Sequence, residues 1–81
     1  MDYKEVLDEL SFQRFAKMRE IRKRLAKEEG IPAYAIFTDA EMAGLAKIEG
    51  LNSKTMLTVK GIGEKKVEKY AKHFISDNEK S

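Results

Sequence analysis

Apolar residues recur along this chain at three- and four-residue intervals, in blocks separated by glycine or proline. In the first block Phe15, Met18, Leu25 and Ala26, with Arg22 among them, predict a long helix from about Ser11 to Glu29 that buries this stripe and stops at Gly30. Ile31-Pro32 follows, and a proline pushes the residue before it towards extended conformations. The stretch PAYAIF is therefore expected to form a bend or single short turn whose apolar residues seal the core. Thr38-Asp39 offers capping oxygens for a helix of about Ala40 to Ile48, buried through Met42, Leu45 and Ala46 and closed by Gly50. Asn52 is the next cap, for a short helix carrying Met56, Leu57 and Val59 up to the pair Gly61 and Gly63. A last helix, about Glu64 to Ser76, places Val67, Tyr70, Ala71 and Phe74 on one side, and the polar tail beyond it is expected to fray. No segment alternates with the period of two that a strand requires. The expected fold is all-α, a compact bundle of roughly five short helices with a helix-hairpin-helix-like turn at Gly61-Ile62-Gly63. Residues 11–76 would form the domain, 1–10 an extension or linker, and 77–81 the tail.

Length bounds this picture. Eighty-one residues support one small core, near the size at which a single core barely suffices, and the absence of cysteine means apolar packing must supply it unaided. With 42% hydrophobic and 37% charged residues, the charge mostly Lys, Arg and Glu, the chain reads as a helix-rich globular monomer. No apolar run approaches membrane-spanning length, and the acidic opening MDYKEVLDEL does not resemble a signal peptide. A cytoplasmic address without membrane association is expected, at the nucleoid in a bacterium or in the nucleus of a eukaryote.

The net charge of +2 is small, but its distribution is uneven. Arg14 to Lys27 holds seven basic residues against the single acid Glu20, Lys60 to His73 holds five lysines against Glu64 and Glu68, and the middle from Glu28 to Gly50 is acidic. Two basic helices packed side by side, polar sides turned the same way, would form one basic face.

Catalysis finds no support in these residues. His73 is the sole histidine, and Glu64 and Glu68 are explained by the helix dipole at its start and by i,i+4 pairing of Glu68 with Lys72. Neither a GxxxxGK[ST] phosphate loop nor a carboxylate metal cluster occurs, so no catalytic residue, metal or cofactor is expected.

Binding chemistry is better represented. In VKGIGEKKVEKY, Gly61 would supply the left-handed residue that ends one helix, Ile62 a core plug, and Gly63 a bare backbone that a phosphate can approach at the next helix start, with Lys60, Lys65 and Lys66 close by. The same glycines equally suit a tight helix-turn-helix with no ligand, and the pattern leaves both readings open. Lys17, Lys23, Arg24 and Lys27 lie broadly opposite the buried stripe of the first helix, and Lys65, Lys66, Lys69 and Lys72 are expected to point away from that of the last. Arg22 falls within its stripe and is expected to be structural, its guanidinium reaching Asp39 or a backbone carbonyl. Phe12, Phe15, Phe37, Tyr70 and Phe74 suit the core, whereas Tyr34, in the bend beside Pro32, is the ring best placed to stay exposed and stack on a base.

The stretches FAKMREIRKRLAKEEGIPAYAIFTDAEM and TVKGIGEKKVEKYAKHF, in this order and spacing, resemble the helicase-and-RNase-D C-terminal (HRDC) domain from about Phe12 to Phe74. Departures are small: the family often has proline where Ala33 and Lys60 stand, and Lys60 adds a charge beside the turn. The resemblance implies a five-helix, non-catalytic accessory module of RecQ-type helicases and RNase D-like nucleases that binds nucleic acid. Single-stranded or structured DNA is the expected partner, with single strands first and RNA the second choice, and docking to a protein or to other domains of a parent chain the alternative. The candidate contacts are Lys17, Lys23, Arg24, Lys27, Tyr34, Lys60, Gly61, Gly63, Lys65, Lys66 and Lys69. Such binding should be weak, salt-sensitive and indifferent to sequence.

Overall fold

The computed structural model describes Glu5 and residues 7–79, with side chains through Ile75. Helix α1 spans Glu9–Glu29 and starts two residues before Ser11 because Asp8 serves as its cap, the Ser11 N–H donating to Asp8 Oδ1 at 2.7 Å. That bond, ahead of the charges of Arg14 and Lys47, holds the Asp8 carboxyl below the usual aspartate range. Leu7, just ahead of the cap, is buried with the core. At the other end Gly30 adopts φ 66°, its N–H bonding Ala26 O and Lys27 O.

The bend expected at PAYAIF is a 3-10 turn, Ala33–Ala35, followed by Ile36 and Phe37, which are wholly buried. Helix α2, Asp39–Ala46, opens with a full capping box. The Glu41 N–H donates to Thr38 Oγ1 while the Thr38 N–H donates back to Glu41 Oε1 at 2.8 Å. It ends at Ala46, so Gly50 lies beyond its end and Ile48 outside it. Helix α3 is one turn, Ser53–Met56, with Asn52 and Thr55 forming a second capping box. It stops short of the glycines: Met56 is fully buried, Leu57 is 41% exposed, and only Val59 of the two later residues leans on the core. Helix α4, Glu64–Glu79, runs three residues past the expected end at Ser76.

Among the described residues the protein is all-helical, with no strand. Helix α1 packs chiefly on α2, and α4 closes the bundle against α1 and α3. The centre is aromatic: Phe37 meets Phe74 edge-on at 5.2 Å between centroids and Tyr70 at 6.1 Å. Phe15, Met18, Ile21 and Leu25 bring α1 to this core, and Val67, Tyr70, Ala71 and Phe74 bring α4, as their spacing requires. No helix among the described residues is long and apolar enough to cross a membrane.

Candidate nucleic-acid interface

The glycine turn takes the geometry that its sequence demands. Gly61 has φ 94°, the left-handed region in which a Cβ is strained, and Ile62 is buried beneath it. A Cβ built on Gly61 would also meet Glu41 Oε2 at 2.5 Å. The carboxylate that completes the α2 capping box therefore lies directly against the glycine turn. Lys66 Nζ stands 3.9 Å from Glu41 Oε1 and 5.9 Å from the Phe37 ring centroid. This corrects the expectation that Lys66 points away from the core: it sits one turn before Tyr70, at the edge of the buried stripe, and its side chain is half-buried.

Lys69 is likewise engaged. Its Nζ lies 2.9 Å from Glu29 Oε1 at the end of α1, and the Tyr70 hydroxyl donates to the same oxygen at 3.1 Å. The Lys69 bond, then that of Tyr70, holds the Glu29 carboxyl below the usual glutamate range despite partial desolvation, and Glu29 in turn raises the Lys69 ammonium. Glu29, Asp39 and Glu41, three acids of the acidic middle segment, are thus occupied within the domain. Asp39 pairs with Arg22 at 2.9 Å, and Arg22 also donates to Phe37 O at 2.9 Å, so both partners expected for that arginine are present.

Lys23, Arg24, Lys27, Lys60 and Lys65 are exposed and make no ion pair among the described residues. Lys17 is also exposed on α1. Gly63 is exposed, with open space where a Cβ would stand. Tyr34 is 68% exposed on the 3-10 turn.

A shallow groove of about 430 Å³ separates that turn from α1, lined by Ala16, Arg19, Glu20, Arg22, Lys23, Ala26 and Ala33. Ala33 immediately precedes Tyr34, so the groove and the exposed ring adjoin along the chain. Lys27 follows Lys23 by one turn on the same side, whereas Arg24 lies about 100° further round the helix. The bundle thus places Lys23 on the groove wall opposite Ala33, the chain neighbour of Tyr34. It leaves Lys60 and Lys65 at the glycine turn, beside the Glu41 carboxylate.

The residues that the sequence reading missed are Arg19 and Glu20. Arg19 stands 5.9 Å from the Phe15 ring centroid and lines the groove next to Lys23. Its i,i+4 spacing from both Phe15 and Lys23 was the available signal. Among the described residues no cluster of His, Cys, Asp or Glu could hold a metal ion.

The stretch is 38% identical over 61 residues to the ATP-dependent DNA helicase RecQ of Pasteurella multocida, covering 75% of this chain and 10% of that protein. RecQ of Bacillus subtilis is 32% identical over 63 residues, covering 78% and 11%, and the ATP-dependent DNA helicase UvrD2 of Mycobacterium bovis is 32% identical over 54 residues, covering 67% and 8%. The chain spans about a tenth of the length of these curated relatives. The model of the HRDC domain matches residues 11–76, from the first turn of α1 well into α4, and the chain belongs to the HRDC domain family.

Proposed function

We propose that this domain is a non-catalytic accessory module of a DNA helicase that holds single-stranded nucleic acid weakly, DNA in preference to RNA, on the face formed by α1 and the 3-10 turn. The observation that carries this reading is the placement of Arg19 and Lys23 on a groove whose other wall, Ala33, is followed in the chain by the exposed Tyr34, with Lys27 one helical turn beyond Lys23. Cations tracking a backbone next to a ring that can stack on a base are the elements of single-strand binding. Lys17 and Arg24 extend the positive field around α1. Lys60, Lys65 and Gly63 form a second, weaker contact at the glycine turn. There the Glu41 carboxylate opposes a phosphate, and Lys66, like Lys69, must trade an internal partner for an external one.

Docking to a protein or to other domains is the competing reading, and it drew on the acidic middle segment. The occupation of Glu29, Asp39 and Glu41 by internal partners weakens that case. Dissociation constants of about 10⁻⁴ to 10⁻⁶ M at physiological salt are expected, the range of non-specific electrostatic contact. Amide-shift mapping on addition of single-stranded DNA tests the proposal. Shifts centred on Lys23 and Tyr34, with smaller ones at Lys65, support it. A spectrum unchanged by DNA refutes it in favour of docking.

A further inference from the structure

We infer that the groove between α1 and the 3-10 turn seats one unstacked base of the bound strand, and that Glu20 makes the seat favour bases with an exocyclic amine; this rests on the single-strand reading above. The groove is shallow and open to solvent, with about 430 Å³ of space, enough for one flat base to lie against its floor. Ala16, Ala26 and Ala33 give it short apolar walls on which a flat ring can rest, and Arg19 and Lys23 stand at its side to meet the flanking phosphates. Arg22 borders the same space, its guanidinium held by Phe37 O and Asp39.

Glu20 is the informative residue. It is the single acid lining the groove, it is exposed, and it makes no ion pair among the described residues, although Lys23 and Arg24 lie three and four positions on. A track for phosphates alone is weakened by a carboxylate, which repels the polyanion. A carboxylate is useful where the ligand brings N–H donors, and in DNA only the base edges do so. The 4-amino group of cytosine presents two hydrogens to a carboxylate, the pairing by which Glu reads that base in duplex grooves. Uracil and thymine place a carbonyl oxygen at that position, and their one ring N–H is flanked by two carbonyls that repel Glu20. The result is a bias in base composition, not a reading of sequence order.

The test compares oligodeoxycytidylate with oligodeoxyuridylate of equal length, whose bases differ in the 4-amino or 4-oxo group and in the N3 proton that accompanies the latter, by fluorescence anisotropy with the intact chain and with Glu20→Gln. The intact chain should bind the cytidylate strand about 3- to 10-fold more tightly, the effect of one solvent-accessible hydrogen bond. Glu20→Gln, whose amide can serve either edge, should bring the ratio to near unity and strengthen binding of the uridylate strand. Ala33→Leu, which fills the groove, should likewise erase the preference. Equal, salt-sensitive binding of both strands by the intact chain overturns the inference and leaves single-strand binding standing. A preference that persists in Glu20→Gln also overturns it. Binding of neither strand overturns both.

Discussion

Replacing Gly61 by Ala should cost more than backbone strain alone, and the surplus should depend on Glu41. At φ 94° a residue with a Cβ is strained by about 1 kcal/mol. The new methyl would also stand 2.5 Å from Glu41 Oε2, a separation that no structure tolerates, so the carboxylate must move. A free glutamate would swing aside at little cost. Glu41 is not free: its Oε1 receives the Thr38 N–H at 2.8 Å, its own N–H is held by Thr38 Oγ1 at 3.1 Å, and Lys66 approaches at 3.9 Å. Displacing it gives up the reciprocal bond of the capping box, about 0.5–1.5 kcal/mol. The sum is about 2 kcal/mol, which for a domain of this size lowers Tm by roughly 8–16 °C. A double-mutant cycle with Glu41→Ala isolates the contact, because in that background Gly61→Ala should cost only its backbone strain of about 1 kcal/mol. Thermal and urea unfolding of the four proteins provide the measurement. Equal costs of Gly61→Ala in the two backgrounds would refute the claim that Glu41 is wedged against the turn.

Other expectations concern binding and pH. Lys23→Gln with Lys27→Gln should leave Tm nearly unchanged and reduce the slope of log affinity against log salt by about 1.4, two single-strand phosphate contacts, whereas Lys65→Gln with Lys66→Gln should lower it by less. Equal losses from the two pairs would return the glycine turn to the centre of the interface. Tyr34→Ala, at an exposed position, should preserve stability yet weaken binding by about 1–3 kcal/mol if a base stacks there, read by titration with single strands. Glu29, its carboxyl held low by Lys69 and Tyr70, adds stability that is present above the ordinary glutamate value of 4.5 and disappears as pH falls through its lowered folded value. Thermal unfolding from neutral to acid pH should show a shallower decline for Glu29→Gln, and identical acid profiles would contradict the pairing. Lys69, raised by the same contact, adds stability below its ordinary 10.5 that is lost as pH rises past its raised folded value.

Much of the helical architecture was legible because its causes are local. Spacing of Phe15, Met18 and Leu25 fixes the buried side of α1 whatever it packs against, and the same holds for Val67, Tyr70 and Phe74 in α4. Thr38 and Asn52 announce α2 and α3 because a cap bonds within three residues. Arg22 could be recognised as structural because a guanidinium inside an apolar stripe must find acceptors, and Phe37 O and Asp39 supply them. Gly61 was legible for the steric reason that its turn needs a left-handed residue. Helix ends were less so: α2 stops before Gly50 and α3 before Leu57, since neither end is dictated by one residue.

Tertiary structure decided what the cations are available to do. Periodicity assigns each lysine an angle about its own helix axis, but the acid that will face it comes from elsewhere in the chain. Glu29 and Tyr70 are 41 positions apart when they share a hydrogen bond, and nothing in the pattern of either helix predicts that Lys69 joins them. Lys66 is drawn to Glu41 because α2 and the glycine turn meet, and that same meeting sets a carboxylate against Gly61, two residues from the Gly63 backbone where the sequence suggested room for a phosphate. The groove with Arg19 and Glu20 on its wall exists only because the 3-10 turn folds back over α1. Sequence determined which residues are polar and which face they occupy, since those follow from side-chain chemistry and helical pitch. Only the packed bundle determined which charges are spent on one another and which are left for a partner, because that depends on distances between segments remote along the chain.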